Sequence, residues 1–205
     1  MEMGPGSGIA GMVFLNFPKD GLEGYKDISA VGNLDSGRDE TLGAMASALD
    51  SGYLPLEMVA GWARGRMETL DHPPDWLVDL VQLSDSERAV SLLWKGWKQS
   101  LESSGRPSPL KERSGELYLG FLFLRYESGH LGLPELLNKA GEKSDLLDCG
   151  IDCSVFYFLL NEIDGGGPTL PSDSPFPNRL RELFAPFAQL ARNHLHFLPR
   201  QNFHP

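Results

Sequence analysis

An all-α fold is predicted by three features of the sequence: apolar residues recurring at helical spacing from Glu40 onward, glycine and proline stops between those runs, and a segment that repeats itself. Residues three and four apart share one face of a helix, so this spacing marks a stripe to be buried. The expected architecture is a helical bundle or a short solenoid-like array of two repeated helical units. An irregular N-terminal segment with a candidate short strand precedes it. The predicted organisation is an irregular segment at 1–39, a first helical unit at 40–101, a linker at 102–114, a second unit at 115–164, a loop at 165–177 and a C-terminal helix at 178–198. All of it fits one compact domain.

The N-terminal segment is rich in Gly and Asp, and residues 12–17 alternate too poorly to define the strand. Leu42, Met45, Ala46 and Leu49 mark the first helix, and Gly52 supplies its left-handed stop. A second helix is expected over 55–70, with Pro55 in its first turn and Leu56, Val59, Ala60, Ala63 and Met67 as its stripe. His72-Pro73-Pro74 ends it, and a short third helix carries Trp76, Leu77, Leu80 and Val81. Ser84-Asp85-Ser86-Glu87 reads as a capping box, with the Ser84 hydroxyl taking an orphan amide while Glu87 reaches back. The helix it opens buries Val90, Leu93, Trp94, Trp97 and Leu101.

Beyond the linker, residues 119–148 match residues 42–71 at nine of thirty positions, with a constant shift of 77. Ordinary composition gives about two. The matches include Leu42/Leu119, Gly43/Gly120, Ser51/Ser128, Gly52/Gly129 and Ala63/Ala140, which lie on the stripe and at the glycine stop of a helix–turn–helix unit. Further helices are therefore expected over 116–128, 133–143 and 152–163. The last of these reads as a buried strand by propensity and as a helix by the repeat. Asn178 is expected to cap the final helix and Pro186 to kink it.

The composition excludes several functions. The 41% hydrophobic content suffices for a core without a disulfide framework, and two cysteines, Cys149 and Cys153, do not make one. The net charge of −10 repels the phosphates of nucleic acid and suits a basic protein partner. From Gly165 onward, Arg179, Arg181, Arg192 and Arg200 outnumber Asp173 and Glu182, so the acid is concentrated in the body. No apolar run is long enough to span a bilayer, and the N-terminus lacks the basic start of a secretory signal, so a cytoplasmic location is expected.

Residue types that carry chemistry do not assemble into a reaction centre. Cys149, Cys153, His194 and His196 lack the paired spacing of a zinc site. His72 and His130 stand beside no Gly-x-Ser-x-Gly elbow. Gly165-Gly166-Gly167-Pro168 lacks the Lys-Ser/Thr of a phosphate loop. The expectation is a non-enzyme with no metal and no cofactor. Arg64 and Arg66 suit a helix C-terminus, where the macrodipole favours cations.

The acidic residues are more suggestive. Glu68, Asp71 and Asp75 align with Asp145, Asp148 and Asp152, each at the bend between second and third helices, and Asp79 and Asp85 extend the first set. They read as a docking face for a basic partner or as solvated charges, some serving a helix N-terminus. Trp62 falls off the main stripe of its helix and is a candidate exposed anchor. Trp76, Trp94 and Trp97 read as core.

Ser51-Gly52-Tyr53-Leu54, Glu57, Trp62-Ala63, Pro74-Asp75-Trp76-Leu77 and Leu83-Ser84 together resemble small cytoplasmic immunity proteins of bacterial polymorphic toxin systems, over residues 42–90. The second copy has Lys139 and Cys153 at the places of Trp62 and Trp76. The resemblance implies a binder that masks a cognate toxin, often a cationic nuclease. The expected binding residues are then Trp62, Glu68, Asp71, Asp75, Asp79, Asp85, Asp145, Asp148 and Asp152. Alternatives are a helical scaffold or adaptor, a viral or effector protein acting on a host factor, and, after those, a metal-dependent enzyme.

Overall fold

Helix stops and buried stripes recur in the computed structural model, which describes residues 34–105, 113–147, 152–165 and 176–199. Among these residues there are eight α-helices and no strand. They are α1 (Leu34–Asp50), α2 (Leu56–Glu68), α3 (Asp75–Gln82), α4 (Ser86–Ser104), α5 (Ser114–Glu127), α6 (Leu133–Leu147), α7 (Ser154–Gly165) and α8 (Phe176–His194). A 3-10 turn, Leu195–Phe197, follows α8. The candidate strand at residues 12–17, most of the linker, and the loop at 166–175 lie outside the described residues. Among the described residues, no helix is long and apolar enough to cross a membrane.

The turns after α1 and α5 are closed by the same hydrogen bonds. Ser51, Gly52 and Tyr53 donate their amides to Ser47, Leu49 and Ala48 carbonyls at 3.1, 2.9 and 2.8 Å. Seventy-seven residues on, Ser128, Gly129 and His130 donate to Leu124, Tyr126 and Arg125 at 3.1, 3.0 and 2.9 Å. The Ser51 and Ser128 hydroxyls donate to the carbonyls of Ala48 and Arg125, both at 2.9 Å. Gly52 and Gly129 take φ of 71° and 77°, the left-handed conformation that side chains with a Cβ disfavour.

The principal packing follows one plan in each half. α1 lies along α4 and α5 along α8, while α2 packs on α3 and α6 on α7. The halves join through α1 against α5. First and last helices of each half thus meet, which is a bundle arrangement rather than the stacking of successive pairs in a solenoid. Residues 42–49 and 115–124 are buried without a break, so these stretches of α1 and α5 are covered on every side and form the centre. Phe121, Phe156, Phe176 and Phe184 are fully buried, each worth roughly 1.5–3 kcal/mol. Phe184 stacks on Phe123 with ring centroids 4.8 Å apart. At Gly120 a Cβ would come within 2.1 Å of the Phe187 carbonyl oxygen, so α5 and α8 approach too closely there for any side chain.

Polar groups also bridge the halves. Arg125 Nη1 donates to the Ser51 carbonyl at 2.6 Å, capping the end of α1 from α5. Tyr53 lies against Phe121 with centroids 5.1 Å apart. Lys143 of α6 pairs with Asp50 of α1 and sits 4.6 Å from the Tyr118 ring centroid.

Several expectations are corrected. α1 begins at Leu34, ahead of Glu40. Pro55 is the N-cap of α2, extended at ψ 146°, rather than part of its first turn. Asp85, not Ser84, caps α4: its Oδ1 accepts from the Glu87 amide at 3.0 Å. That helix runs past Leu101 into the expected linker and stops at Gly105, φ 64°. α6 continues to Leu147, and the helix expected over 152–163 is present with shifted bounds, Ser154–Gly165, its Phe156 and Leu159 on one buried face. α8 starts at Phe176, which leaves Asn178 exposed inside the helix instead of at its cap. Pro186 lies inside α8, as expected.

Candidate functional site

The bend between α2 and α3 follows from its residues. Thr69 closes α2 by donating its hydroxyl to the Arg66 carbonyl at 2.8 Å, and Pro74, extended at ψ 149°, starts α3. Trp76 then turns inward to 9% exposure and lies on Gly96 of α4, where a Cβ would come 2.6 Å from its ring. With the apolar side of α3 so fixed, Asp75 and Asp79 share its outer side.

Glu68, Asp71, Asp75 and Asp79 are all exposed, and no hydrogen bond or ion pair engages their side chains among the described residues. Two have a poor local fit. Glu68 is the last residue of α2, where the macrodipole disfavours an anion. Asp79 stands four residues after Asp75, a like-charge spacing that costs a helix roughly 0.2–0.5 kcal/mol. Asp75 itself, in the first turn of α3, is accounted for by the dipole.

Asp85 and Asp152 have structural duties. Asp85 caps α4 as above. Asp152 Oδ1 accepts from the Ser154 amide at 2.9 Å, and hydrogen bonds from Ser154 hold its carboxyl below the usual carboxylate range. Asp145 is exposed near the end of α6, with Cys153 Sγ 3.9 Å from its Oδ1. Partial burial, followed by the charges of Glu142, Asp145 and Cys153, raises the nearby Tyr157 phenol. Asp148 and Cys149 lie outside the described residues. The first-half carboxylates other than Asp85 therefore lie on α2, α3 and the bend between them, while those described in the second half are fewer and one of them is a cap.

Trp62 is half-buried and packs against the core, not exposed as an anchor. Trp97 is buried and meets the half-buried Trp94 edge-on, at 5.2 Å. His194 Nδ1 lies 2.8 Å from the Leu190 carbonyl, and the His196 ring packs on Phe197 at 3.9 Å. His130 Nδ1 is 2.9 Å from Ser128 Oγ on the surface, with no carboxylate orienting it among the described contacts. No group of three His, Cys, Asp or Glu side chains converges among the described residues.

One surface was not anticipated from sequence. Between α7 and α8 lies a shallow groove of about 360 Å³, lined by Ser154, Val155, Phe158, Leu159, Arg179 and Leu183. Phe158 is 64% exposed beside it. The signal was present in the run Ser154-Val-Phe-Tyr-Phe-Leu-Leu, since a helix so apolar cannot turn every ring inward. No family model matches the chain, and neither a curated protein nor a solved structure matches it.

Proposed function

We propose that the chain is a protein-binding protein of two repeated helical units, whose acidic α2–α3 corner masks a basic partner as an immunity protein masks its toxin. The observation that carries this reading is the placement of Glu68 and Asp79. Both are exposed and unengaged, and both sit where a carboxylate weakens its own helix. Carboxylates set against local helix preference fit a binding role, and an excess of acid speeds encounter with a basic partner even with Arg66 in the same last turn of α2. Asp71 and Asp75 extend the face. Asp85 and Asp152 do not define it, because helix capping accounts for them.

A masking binder acts by occupying its target, so the reading requires no catalytic residue in this chain. Recovery of the chain from its native cells with everything bound to it tests the proposal. The expected result is one basic protein, toxic when produced alone and harmless with this chain present. Recovery of several unrelated proteins would favour a scaffold instead.

A further inference from the structure

α2 and α6 are the same helix of the repeat, 77 residues apart, and they are held differently. Their core-facing positions match one for one. Where α6 buries Leu136, Leu137 and Ala140, α2 buries Val59, Ala60 and Ala63. Burial stabilises in proportion to the apolar area removed from water, so the smaller side chains anchor α2 less. Its larger ones, Leu56, Met58, Trp62 and Met67, are only half-buried. α6 also packs on both α5 and α7, whereas the principal packing of α2 is on α3.

The outer faces differ in the same sense. Asn138 Nδ2 donates to Glu142 Oε1 at 2.9 Å, Lys139 Nζ lies 3.3 Å from Glu135 Oε1, and Lys143 pairs with Asp50 of α1. The first two pairs span one helical turn and support α6 locally, while the third ties it to the other half. In α2 the places of Asn138 and Glu142 are taken by Gly61 and Gly65. Glycine inside a helix opposes it, because its backbone has the most freedom to lose. No packing requires these two, since a Cβ at either would meet nothing within 4 Å. Gly141 of α6, by contrast, seats the Tyr157 ring, which a Cβ would approach to 2.7 Å. Glu68 sets a carboxylate at the C-terminal end of α2, and Pro55 offers no side-chain oxygen to its first amides. Small anchors, two interior glycines and unfavourable ends coincide in one helix, and together they lower the free energy of opening it locally.

We propose that α2 is a strap that opens and re-forms by itself while α4, α5 and α6 stay folded. Glu68 leaves the acidic corner when the strap opens, so the opening regulates partner capture. That consequence rests on the masking reading, whereas the opening itself does not.

Native-state hydrogen exchange of the full chain, with no partner present and urea kept below the unfolding transition, tests the opening. Relative to intrinsic rates, the amides of residues 60–68 should be at least about tenfold less protected than those of residues 137–147. Their exchange should barely respond to urea, because a local opening exposes little surface. Gly61→Ala and Gly65→Ala should each raise the protection of α2 about fivefold, and together about 25-fold, from helix propensity alone. Both substitutions favour the helix, so the variants remain folded. A difference between α2 and α6 of less than tenfold overturns the proposal, as does a double variant whose α2 exchange is unchanged. A chain that shows this exchange pattern yet captures no basic protein sinks the masking reading alone.

Discussion

Gly52 and Gly129 occupy the same turn with nearly the same φ, yet their surroundings differ. A Cβ at Gly52 would come 2.8 Å from Arg125 Nη1, whereas one at Gly129 meets nothing within 4 Å. Gly129→Ala should therefore cost only the left-handed strain, about 1 kcal/mol. Gly52→Ala adds displacement of the guanidinium that caps the Ser51 carbonyl, for about 2–3 kcal/mol in all. Urea unfolding of both variants checks the order, and equal losses would contradict the role given to Arg125. Tyr118 offers a second test. Burial, then Asp50 and Glu142, push its phenol up to about 12 against the opposing effect of Arg125. A folded-state value above the unfolded value of about 10 means that this stability is complete below pH 10 and is lost as pH rises through 12. Tyr118→Phe should flatten that alkaline fall in unfolding free energy; an unchanged slope would remove Tyr118 as its source.

Among the elements, α5 and α8 pack closely at Gly120. Gly120 faces the Phe187 carbonyl, a backbone atom that cannot swing aside as a side chain can. Gly120→Ala should cost about 3 kcal/mol through separation of the two helices. A loss under about 1 kcal/mol would mean that the helices part easily. Helix identity and order were legible in the sequence, because the apolar stripes of residues 42–101 and 117–147 have helical period and their stops are glycine or proline. Boundaries were less so. Ser84 and Asp85 are both good capping residues, and only the backbone geometry at Asp85 selects between them. Asn178 looked like a cap, but Phe176 is buried and draws the helix start forward. The shift of 77 ends near Asp71/Asp148 because α3 and α7 begin 79 residues apart, at Asp75 and Ser154. Beyond that bend, equal offsets no longer mark equivalent places.

For the whole molecule, the acidic surface was legible as composition but not as a site. Of the carboxylates singled out, Asp85 and Asp152 proved to be caps, and only coordinates separate a capping oxygen from a free one. Trp62 looked exposed because it falls off the main stripe of its helix, and the stripe says nothing of the neighbours that half-cover it. What remains is a corner of four unengaged carboxylates on α2, α3 and the bend between them. Neutralising Glu68 and Asp79 should leave stability unchanged or raise it by a few tenths of a kcal/mol, since each opposes its own helix. The most direct measurement of the proposed masking is the association rate of the purified chain with the basic protein the proposal expects to co-purify, followed as salt is raised. It is compared with that of a Glu68→Gln, Asp71→Asn, Asp75→Asn, Asp79→Asn variant. The account predicts a wild-type rate that falls steeply with salt, and a variant that folds normally but associates at least about tenfold more slowly at low salt. Equal rates for the two proteins, with the same salt dependence, would contradict it.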